Sequence, residues 1–412
     1  MTESRSSGAQ SSNEQKLPSR DWFLLPTLSL LTIFLFSASA VLGARLLFPS
    51  SMTGMESCRV KGTATSEATT VPNTVCSERA PESRFLAEYR FNRCGHRAAM
   101  ECGAKPPGTY RIVMIGTSVA MGMYVPEQMT IAALLPAELS RETGRKIDLY
   151  NEGGRWPFIP RNSGPPFDEI QAAQPDMILW VLSPADFKFA YWAASAAETA
   201  TPAMAQARQG NPLGNALNKM ELVLASLSSV NGLRALVPGT KAALVLTHLL
   251  YEAESREQYV ASYLKNDDYD AGFLKAEQTS RWQTSLRYFD NYAAEMAERA
   301  GAAGVPLVVV LVPLRAQAAM ISMGQWPKGY DPYKLDNELR SIIESHGGIY
   351  ITILPDFRSI PNPEKAYFPV DGHPNDEGHA LIAGLLAKKL ARGALPAGAT
   401  TTRPQAGSMR RR

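Results

Sequence analysis

Cysteine is scarce in this chain and confined to one stretch: of 412 residues only Cys58, Cys76, Cys94 and Cys102 are cysteine, and none follows Cys102. No two of them stand in a CxxC spacing, so a zinc site ranks below disulfide bonding. An excess of one charge is lacking too. A formal net charge of +3, with no basic patch interleaved with aromatics in the body of the chain, excludes nucleic acid as the expected partner. Asp371, His373 and His379 could in principle bind a metal, but a third ligand on a helix turn with no acidic cluster elsewhere is thin support, and neither a metal nor a cofactor is expected.

Charged residues are missing altogether from Trp22 to Gly43. About 22 residues rising ~1.5 Å each make a helix of ~33 Å, enough to cross a ~30 Å hydrocarbon core. The expectation is a transmembrane helix over 22–43 with Trp22 at the interface, preceded by a Ser-, Gln- and Glu-rich disordered tail over 1–21. A cleaved signal peptide is the competing reading, because Ala38-Ser39-Ala40 has the small-x-small pattern of a cleavage site. The apolar stretch exceeds the usual ~7 to 15 residue signal core, which favours the anchor. Arg5, Lys16 and Arg20 before the span balance Arg45, Arg59 and Lys61 after it, so flanking charge does not orient it. The cysteines do. An even number in one segment after a membrane signal reads as two disulfides in an oxidising compartment, their pairing open. The bulk of the chain is therefore expected outside the cytoplasm.

With 45% hydrophobic and 20% charged residues, the rest can bury one sizeable α/β core plus appendages. Residues 44–84 are Ser/Thr/Glu/Pro-rich and read as a stalk pinned by the first cysteines. A domain is expected over 85–392. Its strands read as Tyr110 to Gly116, Ile147 to Asn151, Met177 to Leu182, Val305 to Val312 and Ile349 to Ile353, alternating with helices over Glu127 to Thr143, Asp168 to Gln174, Asp336 to Ser345 and a last one to about Ala391. That rhythm implies right-handed crossovers and a parallel sheet. Residues 187–300 interrupt it, with an Ala-, Leu-, Glu- and Arg-rich stretch expected as a helical cap over the active face. The Ala/Gly/Thr/Pro-rich tail over 393–412 reads as disordered.

The first strand runs apolar to Gly116 and stops at Thr117-Ser118. Gly116 permits a sharp turn, and a helix opening beyond it would aim free N–H groups at Ser118, at the carboxyl end of a parallel strand where open α/β sheets keep their chemistry. A serine there is a candidate nucleophile that needs a base and an orienter. Far downstream Asp371-Gly372-His373-Pro374-Asn375 offers a carboxylate and an imidazole two positions apart, on a Gly/Pro-rich loop before a helix. Read blandly, Ser118 is a helix cap and Asp371 and His373 are loop residues; His379 is expected to pack rather than bind metal, and His96, His248 and His346 to be structural or exposed.

Gly116-Thr117-Ser118 with Gly122, Asn151-Glu152-Gly153-Gly154 after the second strand, and Asp371-Gly372-His373-Pro374-Asn375 with Gly378-His379 resemble the ordered blocks of the SGNH (GDSL-type) hydrolases. The lead-in Phe91-Asn92-Arg93-Cys94-Gly95-His96-Arg97 is similar to membrane-anchored bacterial members of that family. The resemblance covers roughly Phe91 to Arg392. It implies a flavodoxin-like α/β/α sandwich at a bacterial inner membrane, with the domain in the periplasm, and ester hydrolysis or acyl transfer. It further implies Ser118 as nucleophile, His373 as base and Asp371 as its orienter, with the N–H groups of Ser118 and Gly154 as oxyanion donors. Gly153, Asn151 and the Ser183 side chain are supplementary candidates. Acylated glycans or small lipid esters are the implied substrates. Two departures stand out. Thr117 occupies the place of the family's Asp, and Ser183-Pro184-Ala185-Asp186 replaces the block whose Asn faces the oxyanion. Losing such a donor typically lowers the rate ~100 to 1000-fold, so a degenerate glycan-binding or assembly protein of the same fold is the alternative expectation.

Overall fold

The computed structural model describes residues 21–47, 55–60, 69–78, 83, 85–98, 102–154, 167–188, 255–266, 268–369 and 371–395. Most of the expected cap, 189–254, and nearly all of both expected tails lie outside the described residues. Helix α1 (Asp21–Leu47) carries the apolar stretch. Its segment Phe23–Ala40 has a mean hydropathy of 1.9 and is packed against nothing, and it is the single helix among the described residues long and apolar enough to cross a membrane. A signal sequence would satisfy the same description.

Two small antiparallel ladders follow, β1 (Arg59–Val60) with β2 (Thr69–Thr70) and β3 (Val75–Glu78) with β4 (Ala87–Arg90). The cysteines pair Cys58 with Cys76 and Cys94 with Cys102, at Cα separations of 6.0 and 6.2 Å. The expected stalk is not separate from the domain over its described part, since the boundary at residue 85 cuts the β3–β4 hairpin. The reason is a small core that the composition hides: Cys58, Cys76, Ala87, Tyr89 and Phe91 cluster around Met121 of the main domain.

The main sheet has five parallel strands in the order β6-β5-β7-β8-β9, formed by β5 (Tyr110–Gly116), β6 (Ile147–Asn151), β7 (Met177–Leu182), β8 (Leu307–Leu311) and β9 (Ile349–Ile351). In the order of their occurrence along the chain this is 2-1-3-4-5. All six residues of β7 are buried, as a strand covered on both faces requires. Successive side chains point to opposite faces. The Trp180 ring meets those of Phe289 and Tyr292, and the Val181 carbonyl lies against the turn at Gly116.

Among the described residues the helices after α1 are α2 (Ser118–Met121), α3 (Ile131–Thr143), α4 (Phe167–Ala172), α5 (Arg256–Tyr263), α6 (Asp268–Ala271), α7 (Ser280–Ala302), α8 (Arg315–Met323), α9 (Lys334–Ser345) and α10 (Asp376–Gly393). Helix α7 buries Trp282, Leu286, Phe289, Ala293, Met296 and Ala300, a stripe at alternating spacings of four and three residues that faces the sheet. The expected helix over 127–143 is split: a 3-10 turn at Glu127–Met129 precedes α3, whose N-cap Thr130 accepts from the Ala133 N–H and whose end is the left-handed Gly144. Helices α3 and α10 pack against each other.

Gly116 decides how β5 ends. Its φ is +143°, and a Cβ there would lie 2.3 Å from the Val181 carbonyl oxygen on the neighbouring strand. That oxygen is backbone and cannot swing away. Gly116→Ala is therefore expected to destabilise the domain by more than ~2 kcal/mol, read from thermal or urea unfolding; an unchanged midpoint would mean that the turn tolerates a side chain.

Candidate active site

Strand order reverses at β5, whose neighbours β6 and β7 are reached by crossovers in opposite directions. Open α/β sheets leave a crevice at the carboxyl end of such a switch point. Ser118 stands there, as the first residue of the one-turn helix α2. Gly153 closes one side of the turn, so tightly that a Cβ on it would lie 2.5 Å from the Met121 amide nitrogen.

The distant loop reaches this crevice. His373 Nε2 lies 2.7 Å from Ser118 Oγ, and His373 Nδ1 lies 2.5 Å from Asp371 Oδ1. A carboxylate on Nδ1 holds the ring proton on that nitrogen, which leaves Nε2 with a lone pair facing the hydroxyl. The loop keeps this shape through its own backbone: the Phe368 N–H donates to the His373 carbonyl at 2.9 Å, and the Gly372 N–H, at a left-handed φ of +87°, donates to the Phe368 carbonyl at 2.9 Å. Arg315 at the start of α8 adds a bond to the Pro369 carbonyl at 2.8 Å. Beyond the loop, the Asn375 side chain caps α10 by accepting the Gly378 N–H at 3.0 Å. The arrangement can deprotonate a hydroxyl as it attacks an electrophile, because a proton acceptor and its orienter stand in line behind it.

The other residues singled out from sequence are differently placed. Asn151 is buried and its Oδ1 accepts the Gly153 N–H at 2.9 Å, while the Gly154 N–H donates to the Gly116 carbonyl at 2.9 Å. Both glycine N–H groups thus hold the turn in this structure rather than face the crevice. Ser183 is buried, and its N–H donates to Asp186 Oδ2 at 2.7 Å. His379 is buried at the start of α10, where its Nδ1 accepts the Ile131 N–H at 3.1 Å, supplying a partner to the first turn of α3. Burial drives its ring down to about 3, so it is neutral. No group of histidine, cysteine or acidic side chains that could hold a metal occurs among the described residues.

Three residues near Ser118 were not selected from sequence. Asp186, 3% exposed, takes the Thr117 hydroxyl on Oδ1 and the Ser183 N–H on Oδ2, tying the end of β5 to the end of β7. Its position in the quartet after the third strand was a signal, but its partner Thr117 is 69 residues away. Arg97 is buried and donates to the carbonyls of Met121, Gly122, Glu88 and Val125, with its guanidinium carbon 4.2 Å from the centre of the Tyr89 ring. It gathers the chain that leaves α2. Tyr124, in the turn that Arg97 holds, presents its ring to His373.

Burial pushes the Asp186 carboxyl from 3.8 up to about 6, against the opposing pull of its two hydrogen-bond partners and of His373. Folded Asp186 therefore holds its proton more tightly than unfolded Asp186 does. Its contribution to stability is greatest below about pH 4 and is lost as pH rises through about 6. About two pH units at ~1.4 kcal/mol each make the change ~3 kcal/mol. Asp186→Asn cannot titrate, so it is expected to gain stability relative to the parent between pH 4 and 7, read as the difference in melting temperature at each pH. A constant difference would mean an ordinary carboxyl.

No family model matches the chain, and no curated protein matches it. Among solved structures the chain is similar to a candidate arylesterase from Agrobacterium tumefaciens, at 13% sequence identity and a TM-score of 0.26, over 68% of this chain and 97% of the other. That likeness is too slight to bear on activity.

Proposed function

We propose that this chain is a serine esterase of the SGNH type. In this reading α1 holds it to a bacterial inner membrane, the sheet domain lies on the periplasmic side, and the substrates are O-acyl esters, O-acetyl first, of glycans or small lipids. The observation that carries the reading is the line from Asp371 through His373 to Ser118 at the switch point of a parallel sheet. The 2-1-3-4-5 strand order supports the flavodoxin-like version of the fold. The two disulfides and the apolar helix support the location.

In the reaction, Ser118 Oγ attacks the ester carbonyl carbon while its proton moves to His373 Nε2. Asp371 stabilises the imidazolium that forms. The Ser118 N–H, in the first helical turn and without an intrahelical acceptor, receives the negative charge on the carbonyl oxygen. Asn151 has its Nδ2 to offer, since Oδ1 is already taken. Collapse breaks the C–O bond, the leaving alkoxide takes the proton from Nε2, and acyl-Ser118 remains. Water, activated by the same nitrogen, then releases the acid. A sugar hydroxyl entering instead of water would make the protein an acyltransferase.

The substrate class is tested by incubating the full chain in detergent micelles with O-acetylated polysaccharide and measuring free acetate. The expected result is steady acetate release that His373→Ala abolishes. Hydrolysis of p-nitrophenyl acetate without any release from the polysaccharide would overturn the glycan substrate. Movement of acetyl to an added unacetylated glycan, without free acetate, would replace hydrolysis by transfer.

A further inference from the structure

Tyr124 has a backbone that a large side chain rarely adopts, with φ at +64°. Such a conformation persists where the surroundings over-determine it. Here they do so from two sides. The Met123 N–H donates to the Ser118 carbonyl at 3.0 Å and the Val125 N–H to the Gly122 carbonyl at 3.3 Å, which closes the turn on α2. From the disulfide-linked hairpin, the Tyr89 hydroxyl accepts the Tyr124 N–H at 2.8 Å. Tyr89 is fully buried and stands opposite Cys76 in the β3–β4 register. Burial pushes its phenol up to about 12, so it is a neutral hydroxyl at any working pH.

This fixed backbone sends the Tyr124 ring back over the active-site loop. It meets the His373 imidazole edge to face, with centroids 5.9 Å apart at 85°, and the Phe368 ring likewise at 6.1 Å and 86°. Phe368 is itself bonded to the His373 carbonyl. Asp371 and Ser118 each hold one nitrogen of the imidazole, and the Tyr124 ring adds a contact to its carbon framework that two hydrogen bonds at the nitrogens do not supply. Resting on the esterase reading above, we propose that Tyr124 is a positioning residue for His373, and that the Tyr89 hydroxyl holds Tyr124 in place. The cysteine-bearing hairpin thus contributes to the active site without touching substrate.

The test uses the full chain in detergent micelles, with kcat and KM for p-nitrophenyl acetate and the melting temperature of each variant. A tilt that moves Nε2 by a fraction of an ångström acts on the chemical step, so Tyr124→Ala is expected to lower kcat ~10 to 100-fold with KM changed less than ~2-fold. Tyr124→Phe, which keeps the ring, is expected to restore most of that loss. Tyr89→Phe deletes one oxygen and is expected to lower kcat ~5-fold or more at a nearly unchanged KM. If Tyr124→Ala has lost its cooperative melt, Tyr89→Phe decides. Wild-type kcat in Tyr124→Ala or in Tyr89→Phe, with Ser118→Ala inactive, would overturn this inference and leave the esterase reading standing. Wild-type turnover no faster than that of Ser118→Ala would overturn the esterase reading, and the inference with it.

Discussion

Ser118→Ala is expected to lower kcat for p-nitrophenyl acetate by ~10⁴-fold or more while leaving the melting temperature within ~2 °C of the parent. The loss is large because the covalent route disappears: without Oγ, His373 has nothing to deprotonate but water, and the crevice is left with binding and its remaining donors. The stability is spared because Ser118 is the first residue of α2 and not its cap, and alanine favours helical backbone at that position. His373→Ala is expected to fall to a similar level. Ser118→Ala combined with His373→Ala should be no slower than either alone, since two members of one relay cannot be lost twice. Additive losses would mean that the two side chains act separately.

Arg97→Ala is expected to cost ~3 to 5 kcal/mol of stability, the largest effect of any substitution away from the serine. Arg97 is 2% exposed, and its guanidinium donates to four backbone carbonyls, three of them between Met121, which ends the serine helix, and Val125. Removing it takes a donor from the buried carbonyls of Met121 and Val125, one of two donors from that of Gly122, and the cation over the Tyr89 ring. Lysine keeps the charge but not the planar fork, so Arg97→Lys should recover only part of the loss. For a domain of this size, each kcal/mol corresponds to ~2 to 4 °C, and Arg97→Ala should melt roughly 10 °C low. A melting temperature within ~2 °C of the parent would contradict the clamp.

The first three main-sheet strands were legible because each is a dense apolar run bounded by Gly, Asn or a turn, and their observed limits, Tyr110–Gly116, Ile147–Asn151 and Met177–Leu182, match those read from sequence. The fourth is shorter than Val305 to Val312: the ladder starts at Leu307, and Pro306, with no N–H to give, only accepts the Ile178 N–H through its carbonyl. Ser118, His373 and Asp371 were selected from local chemistry and motif resemblance, yet nothing local states that residues 255 positions apart lie 2.7 Å from each other. That is a property of strand order. Thr117 and the Ser183-Pro184-Ala185-Asp186 quartet were legible as two separate departures from a family pattern; that Thr117 donates a hydrogen bond to Asp186 emerges only when β5 and β7 lie side by side. Tyr124 carried no signal at all. Its role comes from a left-handed backbone and from a hairpin whose Ser/Thr-rich approach reads as a stalk.

The central claim is that the His373 imidazole activates the Ser118 hydroxyl. Its most direct measurement is the rate of covalent labelling of the full chain by a fluorophosphonate, with the modified peptide identified by mass spectrometry. The account predicts phosphonylation at Ser118 in the parent protein, slowed by ~10³-fold or more in His373→Ala. Labelling of Ser118 at the same rate in both proteins, or none at Ser118 in the parent, would contradict it.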